Sequence, residues 1–239
     1  MSEPALEMRQ VGKTHGQGAQ RVDALIAVDL TVAPGELVAV TGRSGSGKTT
    51  LLNMAGALDE PTTGTITVDG QRLGEMSRTE LARLRRLSVG YVFQQFNLLP
   101  ALTAVENVTL PLELDGMNLA EARRLGEIAL AEVGLDGMAD RFPDQLSGGE
   151  QQRVAIARGL VGPRRLLLAD EPTGALDETT SDNILRIIRQ RCDAGAAALL
   201  VTHEPAYAAW ADRVVRLRDG RVESISERPP VESLVETGP

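Results

Sequence analysis

The sequence contains a single cysteine and no long apolar run. Cys192 alone excludes an intrachain disulfide and cannot form a thiolate metal site by itself, which favours a reducing compartment. The longest apolar runs, such as Leu166–Ala169, are far shorter than the ~20 residues that a membrane-spanning helix needs. We therefore expect any role at a membrane to depend on a partner.

Positive charge is also scarce in this chain. Asp and Glu outnumber Lys and Arg by 33 to 25, and the net charge is -8, so the chain lacks the basic character that sequence-independent nucleic-acid binding requires. Residues 1–10 have no basic-then-apolar pattern and do not resemble a secretory signal. These observations predict a cytoplasmic chain without a nucleic-acid partner.

Alternating strand and helix signals predict a mainly parallel sheet. Glu36–Thr41 has the pattern of a buried strand, and a glycine-rich turn leads from it into a helix-forming run, Thr49–Ala57. Leu166–Ala169 and Ala198–Val201 are further buried-strand signals, and they flank a helix with Ile184 on its apolar face. Ligands of such sheets bind beyond the carboxyl ends of the strands.

Two segments depart from this alternation. Thr65–Val68 alternates polar and apolar residues before an Asp-Gly turn, which indicates antiparallel strands in the N-terminal part. Asn97–Leu114 lacks clear periodicity and contains two prolines, which predicts a loop-rich insertion. Asn118 and Glu121 then form a predicted capping pair for a helix that ends at Gly134, so we expect a helical subdomain here.

A phosphate-binding loop follows the first buried strand. It consists of Gly42, Arg43, Ser44, Gly45, Ser46, Gly47, Lys48 and Thr49, and matches G-x-x-x-x-G-K-[ST] without deviation. The glycines let successive backbone N–H groups point at phosphate oxygens, and the helix N-terminus adds a favourable field. We expect Lys48 to reach the outer phosphates, Thr49 to offer its hydroxyl to Mg²⁺, and Thr50 to be a second phosphate contact. The alternative, a glycine-rich connector without chemistry, is disfavoured because the flanking strand and helix fit the motif.

Two adjacent carboxylates, Asp170 and Glu171, end a predicted buried strand. In this topology they point toward the phosphate loop. We expect Asp170 to serve the Mg²⁺ site and Glu171 to polarise an attacking water as a general base. Taken alone, the pair is also compatible with an ordinary exposed acidic turn.

The run Leu146–Arg153 combines a helix cap with paired glycines. Ser147 and Glu150 have the S-x-x-E spacing of a capping box, so they predict the start of a helix whose free N–H groups can receive an anion. Gly148 and Gly149 cost roughly 1 kcal/mol each in a helix. Capping does not explain this cost, whereas close approach of a ligand does.

This run resembles the signature sequence of ABC ATPases, which P-loop kinases and GTPases lack. The resemblance covers nearly the whole chain and implies a P-loop NTPase (RecA-like) α/β core with a mainly parallel sheet, an N-terminal antiparallel β subdomain and an inserted helical subdomain. It implies ATP and Mg²⁺ as ligands and a homodimer with two ATP molecules between the chains. In such a dimer Ser147, Gly148, Gly149 and Glu150 contact the γ-phosphate that the opposite subunit holds.

Other landmarks of the family occur in the expected order. Gln94 resembles the glutamine that touches Mg²⁺ or water and couples to the transmembrane subunit, although Gln95 is an alternative one residue further on. Asp177 resembles a residue that bridges the two subunits. His203 resembles the histidine that contacts the γ-phosphate and holds Glu171 and water in place.

Two positions depart from the family pattern. His15 stands where an aromatic ring that stacks on adenine is usual, and Ala175 stands where asparagine is common. An imidazole can also stack on adenine, so His15 stays a candidate for binding the base. Neither departure touches the phosphate chemistry.

The resemblance also implies boundaries and a partner. It predicts one ABC ATPase domain over residues 1–239, with the core in 1–96 and 161–239 and the helical subdomain in 97–160.

The segments that resemble the subgroup of lipoprotein-release, macrolide-export and cell-division ATPases are Gln94–Pro100, Leu102–Ala104, Glu106–Val108, Leu58–Thr62 and Arg21–Leu25. Members of this subgroup act on integral membrane permeases from the cytoplasmic face, in export or mechanotransmission. The alternatives are a soluble ABC ATPase that acts on nucleic acid or the ribosome, which the acidic charge disfavours, and a regulator that hydrolyses little ATP.

Overall fold

The fold is described from a computed structural model, which covers residues 3–16 and 20–227. Its strands are β1 Leu6–His15, β2 Val22–Val32, β3 Leu37–Thr41, β4 Thr63–Val68, β5 Gln71–Arg72, β6 Val89–Val92, β7 Leu166–Asp170, β8 Ala197–Val201, β9 Arg213–Arg218 and β10 Arg221–Glu227. Its α-helices are α1 Lys48–Ala55, α2 Arg78–Leu87, α3 Ala104–Glu113, α4 Leu119–Glu132, α5 Gly148–Leu160, α6 Glu178–Asp193 and α7 Pro205–Ala208. The predicted end of the core at residue 239 lies outside the described residues, and the internal boundaries stay predictions.

The strands form two sheets. The larger one has the order β10-β9-β3-β8-β7-β6, in which β9 to β6 are parallel and β10 is an antiparallel edge strand. The smaller one is antiparallel with the order β2-β1-β4-β5. This is the predicted α/β architecture, with a mainly parallel sheet and antiparallel strands in the N-terminal part.

Residues along β3 alternate between two apolar cores. Leu37 and Ala39 face the helical side of the molecule, whereas Val38 and Val40 face the antiparallel sheet, and all four are fully buried. A strand that is covered on both faces has no polar face, which explains why Leu37–Thr41 is a continuous apolar run rather than an alternating one. The two cores hold the carboxyl ends of the parallel strands at one edge of the molecule.

The prediction of a loop-rich segment over Asn97–Leu114 is wrong for its second half, because α3 occupies residues 104–113. Thr103 caps this helix, and its hydroxyl and the carboxylate of Glu106 form a capping box. The helix also buries an apolar face that includes Val108. Pro111 lies in the last turn, where its missing N–H removes only one helical bond.

The helix predicted after Asn118 is present as α4, but its cap differs from the predicted pair. The Asn118 side chain accepts a hydrogen bond from the N–H of Ala120 at 2.9 Å, whereas Glu121 binds Arg124. Gly134 follows the helix with a φ of 72°, a left-handed conformation that glycine adopts without strain. Among the described residues, we find no helix with the length and apolar character needed to cross a membrane.

Helix α5 packs directly on β6 through two glycines. A Cβ atom at Gly90 would collide with the carbonyl oxygen of Gly159, and a Cβ atom at Gly159 would lie 2.9 Å from Cγ2 of Val92. Only glycine permits this backbone approach. The contact fixes the distance between the helical part of the chain and the parallel sheet.

Candidate functional site

The loop between β3 and α1 has the backbone shape of a phosphate cradle. Gly47 immediately precedes α1 with a φ of 101°, and a Cβ atom there would collide with the carbonyl oxygen of Ala24. No side chain caps the N-terminus of α1. The first N–H groups of the helix are therefore oriented to receive an anion, together with the favourable field of the helix dipole.

Lys48 lies over this loop. Its Nζ donates hydrogen bonds to the carbonyl oxygens of Gly42 at 2.8 Å and Arg43 at 3.0 Å. The hydroxyl of Ser46 is buried and has no hydrogen-bond partner among the described residues. A buried polar group without a partner calls for a functional explanation, and an anion in the loop provides one. Thr50 lies in the first turn of α1 and is half-buried.

Thr49 and Asp170 bring two oxygens together at the carboxyl ends of β3 and β7. The hydroxyl of Thr49 donates to Oδ2 of Asp170 at 2.7 Å. Burial raises the pKa of Asp170, the Thr49 hydrogen bond opposes this rise, and the charge of Glu171 adds to it. Retaining a carboxylate where burial disfavours its charge is a feature of functional sites.

These oxygens suit Mg²⁺. The described residues contain no cluster of three or more His, Cys, Asp or Glu side chains that could hold a metal by themselves. Mg²⁺ usually binds one or two protein oxygens and completes its shell with phosphates and water. A hydroxyl and a carboxylate beside a phosphate cradle meet that requirement.

Glu171 and His203 form the second pair of the site. The Nδ1 atom of His203 lies 2.9 Å from Oε1 of Glu171, and this hydrogen bond and the Glu171 charge raise the pKa of His203. Glu171 has a φ of 48°, which is strained for a residue with a side chain. Its N–H donates to the carbonyl oxygen of Val201 at 3.0 Å, which fixes the turn against β8.

The signature residues form the predicted helix start. Ser147 caps α5, and Oε2 of Glu150 accepts hydrogen bonds from the Ser147 N–H and hydroxyl, both at 2.7 Å. A Cβ atom at Gly148 would meet open space, whereas one at Gly149 would lie 3.3 Å from the carbonyl oxygen of Ala175. Contact within the chain therefore accounts for part of the glycine pair, and the open face at Gly148 leaves room for a ligand.

The signature does not join the phosphate loop within one chain. Among the described residues, hydrogen bonds join Lys48 to the loop, Thr49 to Asp170 and Glu171 to His203, whereas none joins Ser147–Glu150 to any of these groups. The structure thus brings together two groups of predicted site residues, but not the third.

His15 lies at the end of β1, opposite Val22 of β2. On the same strand Lys13 pairs with Leu25, whose side chain lies 3.0 Å from the Cβ position of Gly47. The end of β1 therefore runs past the phosphate loop. Its exposed imidazole stays a prediction as the adenine contact.

Three further predicted residues are exposed on loops or helix ends. Gln94 and Gln95 directly follow β6 and Phe93, and their exposure does not distinguish between them. Asp177 caps α6 by accepting a hydrogen bond from the N–H of Thr180 at 3.0 Å. Its local role is thus helix capping, and its role between subunits stays a prediction.

Sequence reasoning missed two side chains of α5 that touch site loops. Gln152 donates from Nε2 to the carbonyl oxygen of Pro172 at 2.8 Å, and Arg158 donates to the carbonyl oxygens of Phe96 at 2.8 Å and Asn97 at 2.7 Å. The available signal was a long polar side chain on a helix whose neighbouring residues are buried, because such a group needs a polar partner.

Comparison with known proteins identifies the family. The ABC transporter family model matches residues 25–174. The macrolide export ATP-binding/permease protein MacB of Chromobacterium violaceum is 44% identical over 98% of this chain, and MacB of Syntrophobacter fumaroxidans is 46% identical over 91%. The aligned regions span only 36% and 31% of these relatives' own lengths, so the chain corresponds to about a third of each.

A solved structure supports the same assignment for the entire fold. The ATP-binding cassette MJ0796, in a dimeric post-hydrolysis state bound to ADP and Pi, is 40% identical with a TM-score of 0.90. The match covers 94% of this chain and 99% of that one. It confirms the predicted P-loop NTPase architecture with its antiparallel and helical parts. The chain belongs to the ABC transporter family and has the fold of its ATP-binding cassette.

Proposed function

We propose that this chain binds ATP with Mg²⁺, hydrolyses it at the interface of a homodimer, and drives a separate integral membrane permease from the cytoplasmic face by closing and opening that dimer. Two similarities support the proposal. Relatives that match the whole chain are ATP-binding/permease proteins, and the similar cassette MJ0796 is a dimer with ADP and Pi. Export and mechanotransmission are the two modes that the subgroup resemblance favours.

The observation that carries the proposal is the grouping of an ammonium, a hydroxyl, two carboxylates and an imidazole at the carboxyl ends of β3, β7 and β8. The ammonium of Lys48 lies over the phosphate cradle, the Thr49 hydroxyl binds Asp170 at 2.7 Å, and the carboxylate of Glu171 binds His203 at 2.9 Å. Each group suits one part of phosphoryl transfer: charge neutralisation, metal binding and activation of water.

The chain's own residues then act in sequence. Lys48 and the N–H groups of the loop hold the β- and γ-phosphates, and Glu171 accepts a proton from a water aligned with the γ-phosphorus. The water oxygen bonds to that phosphorus as the bond to the β–γ bridging oxygen breaks, so that ADP and phosphate leave. Thr49 and Asp170, with Gln94, would hold Mg²⁺, which neutralises charge on the transferred group.

The position of the signature supports a dimeric site. Ser147–Glu150 open α5 with N–H groups suited to an anion, but among the described residues no hydrogen bond joins them to the phosphate loop of their own chain. A second copy placed head to tail would bring its signature over the cradle. Two ATP molecules would then lie between two chains.

An apolar groove next to Gln94 supports a permease partner. Leu58, Phe93, Pro111 and Leu114 line it together with four arginines, and the side chains of Leu58 and Leu114 are exposed. Exposed apolar surface of this kind marks interaction sites. A protein segment bound here would lie against the loop that carries Gln94 and would therefore sense its movement.

The test of the catalytic assignment is Glu171→Gln, which keeps the shape of the side chain and removes the base. We expect ATP binding to persist and turnover to fall by roughly 10²–10⁴, the range for loss of a general base. Glu75→Gln, at an exposed carboxylate remote from the site, is the control. Phosphate release and binding of a fluorescent ATP analogue measure both effects, and near-normal turnover of Glu171→Gln would reject the assignment.

A second experiment separates the proposal from its alternatives. Affinity purification of the tagged chain from detergent-solubilised membranes is expected to recover an integral membrane protein in the presence of ATP. Recovery of nucleic acid alone would favour the soluble alternative. Nucleotide-dependent dimers of the wild-type chain with negligible phosphate release would favour the regulator.

A further inference from the structure

Gln152 makes a buried hydrogen bond that packing alone does not explain. Its side chain is 1% exposed, Nε2 donates to the carbonyl oxygen of Pro172 at 2.8 Å, and Oε1 has no partner among the described residues. A buried amide oxygen without a partner destabilises the fold, so an apolar side chain of similar size would fill this space at lower cost. What distinguishes glutamine here is the donated hydrogen bond.

The acceptor belongs to the turn that presents the catalytic carboxylate. Pro172 follows Glu171, whose φ of 48° is unfavourable and persists only where surrounding contacts fix it. The Glu171 N–H is bound to the carbonyl oxygen of Val201 on one side, and the Glu171 carbonyl oxygen accepts from the N–H of Gly174 at 3.2 Å. The bond from Gln152 holds the same turn from the side of α5.

Helix α5 touches this turn at a second point. The Cβ position of Gly149 lies 3.3 Å from the carbonyl oxygen of Ala175 and 3.6 Å from Cδ2 of Leu176. The N-terminal turns of α5 therefore contact both ends of the segment Pro172–Leu176. A shift of the signature and a shift of this segment cannot occur independently, because closely packed groups transmit displacement.

We propose that Gln152 is a positioning residue for Glu171, and that through it the signature helix sets the geometry of the catalytic base in its own chain. This inference rests on the proposed function, in which Glu171 activates water and the signature contacts the nucleotide of the opposite subunit. Binding of the opposite nucleotide then tightens the turn that holds the base of the other site. The two ATP sites of a dimer are thereby coupled through α5.

Two substitutions remove the donor in different ways. Gln152→Met keeps the size without a hydrogen bond, and we expect kcat to fall about 10–100-fold, the effect of a small misplacement of a catalytic group, with KM for ATP unchanged. Gln152→Glu introduces a carboxyl whose pKa burial raises. When protonated, this carboxyl donates to Pro172, so the ratio of its kcat to the wild-type value is expected to be near one at about pH 6 and to fall at least tenfold by about pH 8.5.

Gln190→Glu is the matched control, because Gln190 is an exposed glutamine on α6. Its kcat is expected to follow the wild-type pH profile. A double variant tests the route of the effect: adding Gln152→Met to Glu171→Gln is expected to cause no further loss, since both act through one group. The measurements are steady-state phosphate release and melting temperature of each variant.

The outcomes distinguish this inference from the proposed function. Wild-type kcat in Gln152→Met, a pH-independent ratio for Gln152→Glu, or additive loss in the double variant would each overturn the positioning role. If Gln152→Met does not fold, the pH dependence of Gln152→Glu decides. Normal turnover of Glu171→Gln would reject the proposed function itself, whereas loss in that variant with a normal Gln152→Met would reject only this inference.

Discussion

At the scale of single residues, the hydrogen-bonded pair of Glu171 and His203 links the stability of the fold to pH. Its hydrogen bond raises the pKa of His203 above the ordinary value of 6.5. Because its pKa is raised, His203 binds a proton more tightly in the folded state than in the unfolded state. The pair therefore stabilises the fold fully below pH 6.5, and this stabilisation is lost as the pH rises through the raised pKa. The same imidazole contacts the carboxylate that we propose as the general base.

His203→Asn tests this linkage. We expect the melting temperature of the wild type to exceed that of the variant at about pH 6, and the difference to shrink by about pH 9, because deprotonation removes the charge attraction between the imidazolium and the carboxylate. His15→Asn, which changes the other histidine without touching this pair, is the control. A difference of the same size at every pH would contradict the assignment.

Residue-scale contacts across the chain were the hardest to predict. The strand and loop motifs placed Thr49 and Asp170 at the same edge of the sheet, and their bond joins positions far apart in sequence. The bond from Gln152 to Pro172 was not predicted, because Gln152 stands among polar residues at the helix start and only the apolar run Val154–Ala157 that follows indicates burial. Burial of such a side chain is decided by tertiary packing, which a single sequence does not display.

At the scale of elements, two similar helix caps allow the contribution of a cap to stability to be distinguished from its contribution to nucleotide binding. Ser147 and Thr103 each form a capping box with a glutamate on the following turn, at the starts of α5 and α3. Replacing either by alanine is expected to lower the free energy of unfolding by about 1 kcal/mol. Only Ser147→Ala is expected also to weaken ATP-dependent dimerisation, since only that cap lies at the signature.

Urea unfolding and size-exclusion chromatography in the Glu171→Gln background measure these two effects. If both variants dimerise as well as the parent Glu171→Gln chain, the signature cap has no role beyond its helix. If dimerisation falls by the same amount in both variants, helix stability, and not contact with nucleotide, controls the dimer.

Element prediction succeeded where local signals agreed and failed where they conflicted. The capping spacing of Ser147 and the continuous apolar run of β3 each had one physical interpretation. Pro111 opposes a helix whereas the capping box at Thr103 favours one, and burial of the apolar face of α3 outweighs the helical bond that the proline removes. In β1, the backbone at Gln10 has a φ of 50° and interrupts the alternation expected of a strand.

At the scale of the whole molecule, the proposed function makes dimer assembly part of the chemistry, because the signature and the phosphate loop that share one ATP would belong to different chains. We expect the Glu171→Gln variant to be monomeric without nucleotide and dimeric with ATP and Mg²⁺, with two nucleotides per dimer, because hydrolysis can no longer release the closed state. Light scattering measures the oligomeric state, and nucleotide quantification gives the number of nucleotides per dimer. Lys48→Ala is the control, since it removes the cation of the cradle.

A dimer that forms equally well with ADP would contradict this prediction, because the γ-phosphate would then not join the two chains. One nucleotide per dimer would also contradict it. A monomer at every nucleotide concentration would leave the signature without a ligand and would reject the head-to-tail arrangement.

The glycine contact between α5 and β6 has a consequence for how this molecule tolerates change. Backbone atoms of Gly90 and Gly159, rather than side chains, set the clearance between the helical part and the parallel sheet. Substitutions on the outer surface of the helical part can therefore accumulate and suit different partners. The position of the signature relative to the parallel sheet stays the same. The position of α5 against β6 therefore depends on two residues that have no side chain to vary.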